Sequence, residues 1–272
     1  MEGVVLKAGA GEALFGERIV IKSDFEVLSI TESFFPDARA GATPHLHRQH
    51  ADSFYVLEGE LAFLVHDEEK LFGPRACVCA PPEVVHGFRS TSHARFLNFH
   101  TPDGGFAENL RASDRGEPGG FDSFDAPPGT GLPASESILL YAGEGERLKG
   151  HKRVATIKLA RDELALVEFE LEPGFEGPKP HIHKQHVDSF YVVEGEAEFR
   201  LGKVLLQLRA GSFIAAPPGI VHSFSNPGPG SARLINVHTP SCDFSEYLHV
   251  MDESDDELDE ATHAKYDVYE VE

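Results

Sequence analysis

The sequence predicts an all-β chain built as two copies of one sandwich or barrel. Three observations carry that expectation. A stretch of seventeen residues occurs twice, a spacing near 136 residues relates most of the chain to itself, and short apolar runs alternate with Gly/Pro turns throughout.

The doubled stretch is "PHLHRQHADSFYVLEGE" at residues 44–60 and "PHIHKQHVDSFYVVEGE" at residues 180–196, with thirteen of seventeen positions identical. "APPEVVHGFRS" (80–90) is answered by "APPGIVHSFSN" (216–226), and "ARFLNFHTP" (94–102) by "ARLINVHTP" (232–240). Upstream, "AGAGEALFG" (8–16) is answered by "AGEGERLKG" (142–150). Residues 111–137 are dense in Gly, Pro and Ser and predict a linker. The boundary falls near residue 130, giving an N-terminal domain 1–130, with linker from about 111, and a C-terminal domain 131–272.

Each copy reads as strands and tight turns. "SFYVLEGELAFLV" is a strand, a Glu-Gly corner and a second strand. "EVLSITESFF", "ACVCAPP" and "ARFLNFH" add strands to the first copy, and "ELALVEFELEP", "VLLQL", "SFIAAPP" and "ARLINVH" to the second. Helix is expected only after each final strand, in "GFAENLRAS" and "DFSEYLHVMDES".

Composition narrows the function. The 272 residues are 41% apolar, enough for packed cores, and the net charge of −21 argues against a nucleic-acid partner. The acid is concentrated in "MDESDDELDEAT" from residue 251, read as a solvated helix or frayed tail. No apolar run approaches the ~20 residues that span a bilayer, and the N-terminus lacks a signal-peptide pattern. The three cysteines, Cys77, Cys79 and Cys242, suit a reducing compartment, so a cytoplasmic protein is expected.

The histidines carry the chemistry. Ten of the fifteen form five matched pairs: His45/His181, His47/His183, His50/His186, His86/His222 and His100/His238. Elsewhere the copies diverge, so the shared register points to a shared chemical requirement. On a strand His45 and His47 face one way, as do His181 and His183. Asp52 and Asp188 begin the next strand, and His86 and His222 follow a Pro-Pro turn. Three imidazoles and a carboxylate make a ligand set for one divalent transition ion per copy, with positions left open. His50 and His186 remain open between extra ligand, proton shuttle and turn residue. His100 and His238 share a strand face with Asn98 and Asn236, either as packing at the barrel mouth or as donors that orient a ligand. Cys79 is a candidate for the lining of the first cavity, where the second copy has Ala215.

The chain resembles a bicupin. The first cupin motif is matched at His45, His47, Asp52 and Gly59, and again at His181, His183, Asp188 and Gly195. The second is matched at Gly211, Pro217, Gly219, His222 and Asn226. The first copy keeps Pro81 and His86 but has Arg75, Glu83 and Ser90 at the glycine and asparagine places. The family's glutamate is aspartate in both copies. The resemblance implies a double-stranded β-helix, or jelly roll, in each half. It also implies one metal per domain (Fe, Mn, Ni, Cu or Zn) held by His45, His47, Asp52 and His86, and by His181, His183, Asp188 and His222. Among cupins the arrangement is most similar to quercetinase-like dioxygenases, implying an oxidoreductase that acts on a small enol, phenol or flavonol-like substrate. Asp52 and Asp188 are then candidates for the base that takes the substrate's proton. Two readings stay beside it: a metal-dependent isomerase, lyase or decarboxylase, and a non-catalytic cupin that binds metal or a small molecule. A small-molecule partner is expected, and a homo-oligomer is left open. The second copy, with its complete second motif, is the more family-like site.

Overall fold

The computed structural model describes residues 2–254 and 257–271. The chain is two compact units, one of Gly11–Glu144 and one made of the residues up to Ala10 together with those from Gly145 on. Residues 131–144, expected in the second domain, therefore lie in the first unit. Ile138–Leu140 is an edge strand that pairs antiparallel with Cys77–Ala80. Val4–Leu6 pairs with Phe213–Ala216 of the second unit. Edge pairing satisfies backbone groups that Gly/Pro content alone would assign to a loop.

In the second unit a seven-stranded sheet, running from Val4–Leu6 through the central Val187–Glu194 and Ala232–Thr239 to Glu146–Gly150, accompanies a five-stranded sheet. In the first unit the strands corresponding to those sheets run on without a break: Ala51–Val65 and Arg95's strand, His86–Thr101, pass through both layers, joining them into one eleven-stranded sheet. Both are jelly rolls. The turn at the motif glycine explains why Gly is required: Gly59 and Gly195 both have φ +72°, and a Cβ would come within 1.9 Å of His93 O or 2.3 Å of Ser231 O. At the places of Gly211 and Gly219 the first copy keeps the left-handed backbone with Arg75 (φ 69°) and Glu83 (φ 67°).

Apolar side chains fill the space between sheets. Phe54, Phe63, Phe72 and Phe96 centre the first core, and Phe169, Phe190, Phe199 and Leu234 the second. Each unit also buries one ionic cluster at matched positions. Lys22 and Arg95 flank Glu32, at 2.9 and 2.5 Å. Lys158 and Arg233 flank Glu168, at 4.0 and 2.6 Å.

The expected helices are Phe106–Asp114 (α1) and Phe244–Glu253 (α2). A third, Glu260–Lys265 (α3), was not expected; Asp259 caps it by accepting from Thr262 N–H at 2.8 Å. The acidic stretch from residue 251 is thus two helix ends, with Asp255 and Asp256 outside the described residues. No helix among the described residues is long and apolar enough to cross a membrane.

Glu168 is fully buried between two cations, so its charge is what makes their burial tolerable. Glu168→Gln is expected to lower unfolding stability by about 3 kcal/mol, the scale of a broken buried pair. Denaturant unfolding of the metal-free protein measures this; a loss below about 1 kcal/mol would show that the cluster does not hold the sheet.

Candidate metal centres

The histidine motif is placed by strand pairing. His45 lies opposite His86 on adjacent strands, and His181 opposite His222. Asp52 sits across from His100, and Asp188 across from His238. All eight predicted ligands are buried. In each unit the ligand atoms of two His from the first motif, the Asp, and the His after the Pro-Pro turn lie within 4.8 Å of one another.

Backbone carbonyls set the ring orientation. In the first unit Nδ1 of His45, His47 and His86 donates to Thr43 O (2.7 Å), Asp122 O (2.5 Å) and Val84 O (3.0 Å). In the second, Nδ1 of His181, His183 and His222 donates to Lys179 O (2.8 Å), Asp267 O (2.8 Å) and Ile220 O (2.9 Å). With the proton on Nδ1, each Nε2 is a lone pair aimed inward. His86 Nε2 then faces Asp52 Oδ2 at 3.3 Å, and His222 Nε2 faces Asp188 Oδ2 at 3.1 Å. His47 Nε2 and His183 Nε2 stand 3.7 Å from the same carboxylates and have no hydrogen-bond partner. Acceptors turned toward a buried carboxylate repel unless a cation lies among them, so this donor set fits a divalent ion.

Electrostatics agree. Burial, then the neighbouring His86, pushes His45 down to about 4; burial, then His222, pushes His181 to about 3. These rings are neutral near pH 7, as metal ligation requires. Burial alone would raise the Asp52 and Asp188 carboxyls. His100 and His238, whose Nε2–H groups lie 3.5 Å from Oδ1 of the two carboxylates, lead the interactions that outweigh it and hold both well below the usual carboxylate range.

Asn98 and His100 turn out to orient the carboxylate. Asn98 Nδ2 donates to Asp52 Oδ1 and to Ser53 O (3.1 Å), and its Oδ1 accepts from His100 Nε2 at 3.1 Å. Asn236 repeats this with Asp188 (2.5 Å), Ser189 O (3.2 Å) and His238 (3.0 Å). The outer ring is clamped by an aromatic face, Phe106 on His100 at 3.7 Å and Phe244 on His238 at 3.5 Å. The first residue of each helix thereby joins the site.

His50 and His186 are buried beside this array, and their two settings differ. His186 Nδ1 donates to Asp267 Oδ2 at 2.9 Å, and its Nε2 lies 2.8 Å from His238 Nδ1. His50 lies 3.2 Å from Asp122 Oδ2, and neither of its ring nitrogens completes a hydrogen bond. Both could join a second three-histidine group, His47/His50/His100 or His183/His186/His238, but those sets lack a carboxylate. Cys242 stands near His186 and Asp267, and burial raises its thiol to about 11, so it stays protonated. Cys79 is fully buried in its strand and is not among the residues of the cavity wall.

Two residues that the sequence did not single out complete the frame. Asp122 and Asp267 supply the carbonyl that holds His47 or His183, and their carboxylates accept from the backbone N–H groups of the following turn, Arg48 and Gln49 (2.8 and 2.5 Å) or Lys184 and Gln185 (3.0 and 2.8 Å). Asp122 lies inside the segment expected to be linker. The strand Phe124–Asp125 pairs with His45–Leu46, and Tyr269–Glu270 pairs with His181–Ile182. The repeat "FDSFDA" (121–126) and "YDVYEV" (266–271) is the signal that marks them.

A cavity of about 360 Å³ adjoins each centre, within the range of small-molecule sites. Asp52 lines the first and Asp188 the second.

The sequence model of the cupin domain matches residues 35–100 and 167–238, the two stretches that carry the centres. The chain is 24% identical over 273 residues to quercetin 2,3-dioxygenase of Bacillus subtilis (strain 168), covering 81% of this chain and 77% of that one. Among solved structures it is similar in fold to Lactobacillus farciminis oxalate decarboxylase in a formate complex. There the TM-score is 0.57 and identity 12%, over 81% of this chain and 80% of that one. It is likewise similar to salicylate 1,2-dioxygenase from Pseudoaminobacter salicylatoxidans, with TM-score 0.57 and 13% identity over 82% and 74%.

The buried neutral histidines set a pH dependence. A ring at about 4 in the folded state and 6.5 when unfolded lets the unfolded chain bind more protons between those values, so stability falls as pH drops from 6.5 to 4. For His45 alone the effect is on the order of 3 kcal/mol. Thermal unfolding of metal-free protein across pH 4–8 should show Tm falling steadily below pH 6.5; a flat profile would mean that the rings are not buried neutral.

Proposed function

The chain belongs to the cupin family, with a cupin domain in each half, and on that premise we propose that it is a metal-dependent dioxygenase acting on a small enol, phenol or flavonol-like molecule. The observation that carries this reading is the convergence, twice, of three carbonyl-anchored imidazoles and one amide-held carboxylate beside a cavity of small-molecule size. His45, His47, Asp52 and His86 would hold one divalent ion, and His181, His183, Asp188 and His222 a second. An Fe, Mn, Ni, Cu or Zn ion there supplies Lewis acidity toward a substrate oxygen, and a redox-active one also supplies electrons for dioxygen chemistry.

The chain's own residues do the rest. Asp52 and Asp188 remain ionised, and the Asn amide holds Oδ1 of each, so Oδ2 is the oxygen available to take a hydroxyl proton or to bind the ion. His100 and His238 fix the asparagine by donating to its Oδ1, which keeps Nδ2 turned to the carboxylate. Phenylalanines on the cavity walls exclude water: Phe88, Phe96 and Phe106 in the first, Phe169, Phe224 and Phe244 in the second. The likeness to quercetin 2,3-dioxygenase and the shared fold with salicylate 1,2-dioxygenase support oxygen chemistry.

Two metal ions per chain are expected by elemental analysis. His47→Ala and His183→Ala should each remove one and leave the far-ultraviolet spectrum unchanged, since each barrel has its own core. Oxygen uptake across a panel of flavonols, catechols and β-diketones tests the reaction. Turnover without oxygen uptake would favour the isomerase, lyase or decarboxylase class, and inert metal-loaded protein a binding role. Full metal content in both variants would refute the ligand assignment.

Asp267→Ala should loosen the second centre without touching a ligand side chain, because the turn from His183 to His186 loses the acceptor that fixes Lys184 and Gln185 N–H. A 10- to 100-fold weaker metal affinity at that centre is expected. Wild-type affinity in a competition titration would show that the carbonyl of this residue suffices.

A further inference from the structure

The two centres match residue for residue, but their cavities do not. At Thr31, Ser33, Arg39 and Ser113 of the first unit, the second has Val167, Phe169, Phe175 and Met251. The strand register fixes the first two pairs: Thr31 lies opposite Asn98 and Ser33 opposite Phe96, as Val167 lies opposite Asn236 and Phe169 opposite Leu234. The sequence offset fixes the others, Arg39/Phe175 at 136 and Ser113/Met251 at 138. All four first-unit residues line the first cavity, and Phe169, Phe175 and Met251 line the second.

Charge separates the cavities further. Arg18 and Arg39 both line the first. Arg18 is half-buried, and its Nε donates to Phe15 O at 3.0 Å; Arg39 stands exposed at the rim with its guanidinium over the Phe35 ring, 5.3 Å from the centroid. Among the described residues neither guanidinium forms an ion pair. The second cavity's arginine, Arg153, is ion-paired to Asp252. So, beside the centre residues common to both, the first cavity joins two guanidiniums and three hydroxyls to an aromatic wall, and the second joins an ion-paired arginine and the exposed carboxylate of Glu176 to an apolar one.

We propose that the first cavity binds an organic carboxylate with a flat apolar body, while the second binds an uncharged apolar molecule. The proposal rests on the reading of both centres as small-molecule sites and divides that reading between the halves. A guanidinium presents paired N–H donors matched to a carboxylate, and the hydroxyls of Thr31 and Ser33 add neutral donors. Phe88, Phe96, Phe106 and Phe121 supply faces for a ring. On a chain of net charge −21, an anion is drawn only to such a local concentration of positive charge.

Isothermal titration of benzoate and of its neutral counterpart benzamide tests this, on metal-free and on zinc-loaded full-length protein. On the metal-free protein benzoate should saturate at one site per chain and bind at least ten-fold more tightly than benzamide. The double variant R18Q/R39Q should weaken benzoate at least ten-fold with metal content unchanged. The converse variant F169S/F175R should create a second benzoate site. Equal binding of benzoate and benzamide, no benzoate binding in either metal state, or wild-type benzoate affinity in R18Q/R39Q would each overturn the proposal. Failure of the metal assignment registers separately, as absent zinc by elemental analysis, while the metal-free titration still reports on the arginines. Circular dichroism of each variant confirms that a lost signal is not unfolding.

Discussion

The structure turns on six hydrogen bonds from imidazole Nδ1 to backbone carbonyl oxygen. They fix the tautomer and the tilt of His45, His47 and His86, and of His181, His183 and His222, and so aim six Nε2 lone pairs into two small volumes. A lone pair buried against a carboxylate is unfavourable by itself. Positive charge among the acceptors would relieve that repulsion, so the donor set fits a cation site. Four of the six carbonyls belong to residues two positions before the histidine they hold, so the strand's own geometry provides them. The remaining two come from Asp122 and Asp267, brought in by strands that return from beyond each helix.

That return makes the segment after each barrel part of the machinery. The helix places Phe106 or Phe244 on the ring of His100 or His238, and the following strand places the aspartate under the histidine turn. Carboxylate, asparagine, histidine and aromatic ring form one stacked series from the candidate ligand outward. Each member leaves the next a single favourable orientation. In the second unit the series extends through His186 to Asp267, whereas in the first neither ring nitrogen of His50 completes a hydrogen bond, although its ring lies as near to His100 as that of His186 does to His238.

The duplication thus preserved a centre and released its surroundings. Ligands, orienting amide and stacked ring coincide, because a ligand set with a missing donor leaves the other buried groups uncompensated. The cavity walls carry no such constraint, and there polar and apolar side chains have been exchanged at matched positions of the same strands. Two similar candidate centres on one chain thus present two different cavity surfaces.

The sequence by itself determined the fold class, the duplication and the eight converging candidate ligands. Strand alternation puts His45 and His47 on one face, and the doubled motif supplies the register. It also placed Asn98, His100, Asn236 and His238 on a shared face, though not their role, since alternation gives a direction and no distance. Only the tertiary structure decided that Asp122 and Asp267 hold the histidine turns, that the stretch around residue 121 is not a spacer, and that residues 138–140 close the first sheet. The physical reason is range: these contacts join residues about sixty to eighty-four positions apart, through edge strands of two or three residues. Local chemistry wrote the ligands into consecutive residues, and chain return, which no short window of sequence expresses, supplied what keeps them in place.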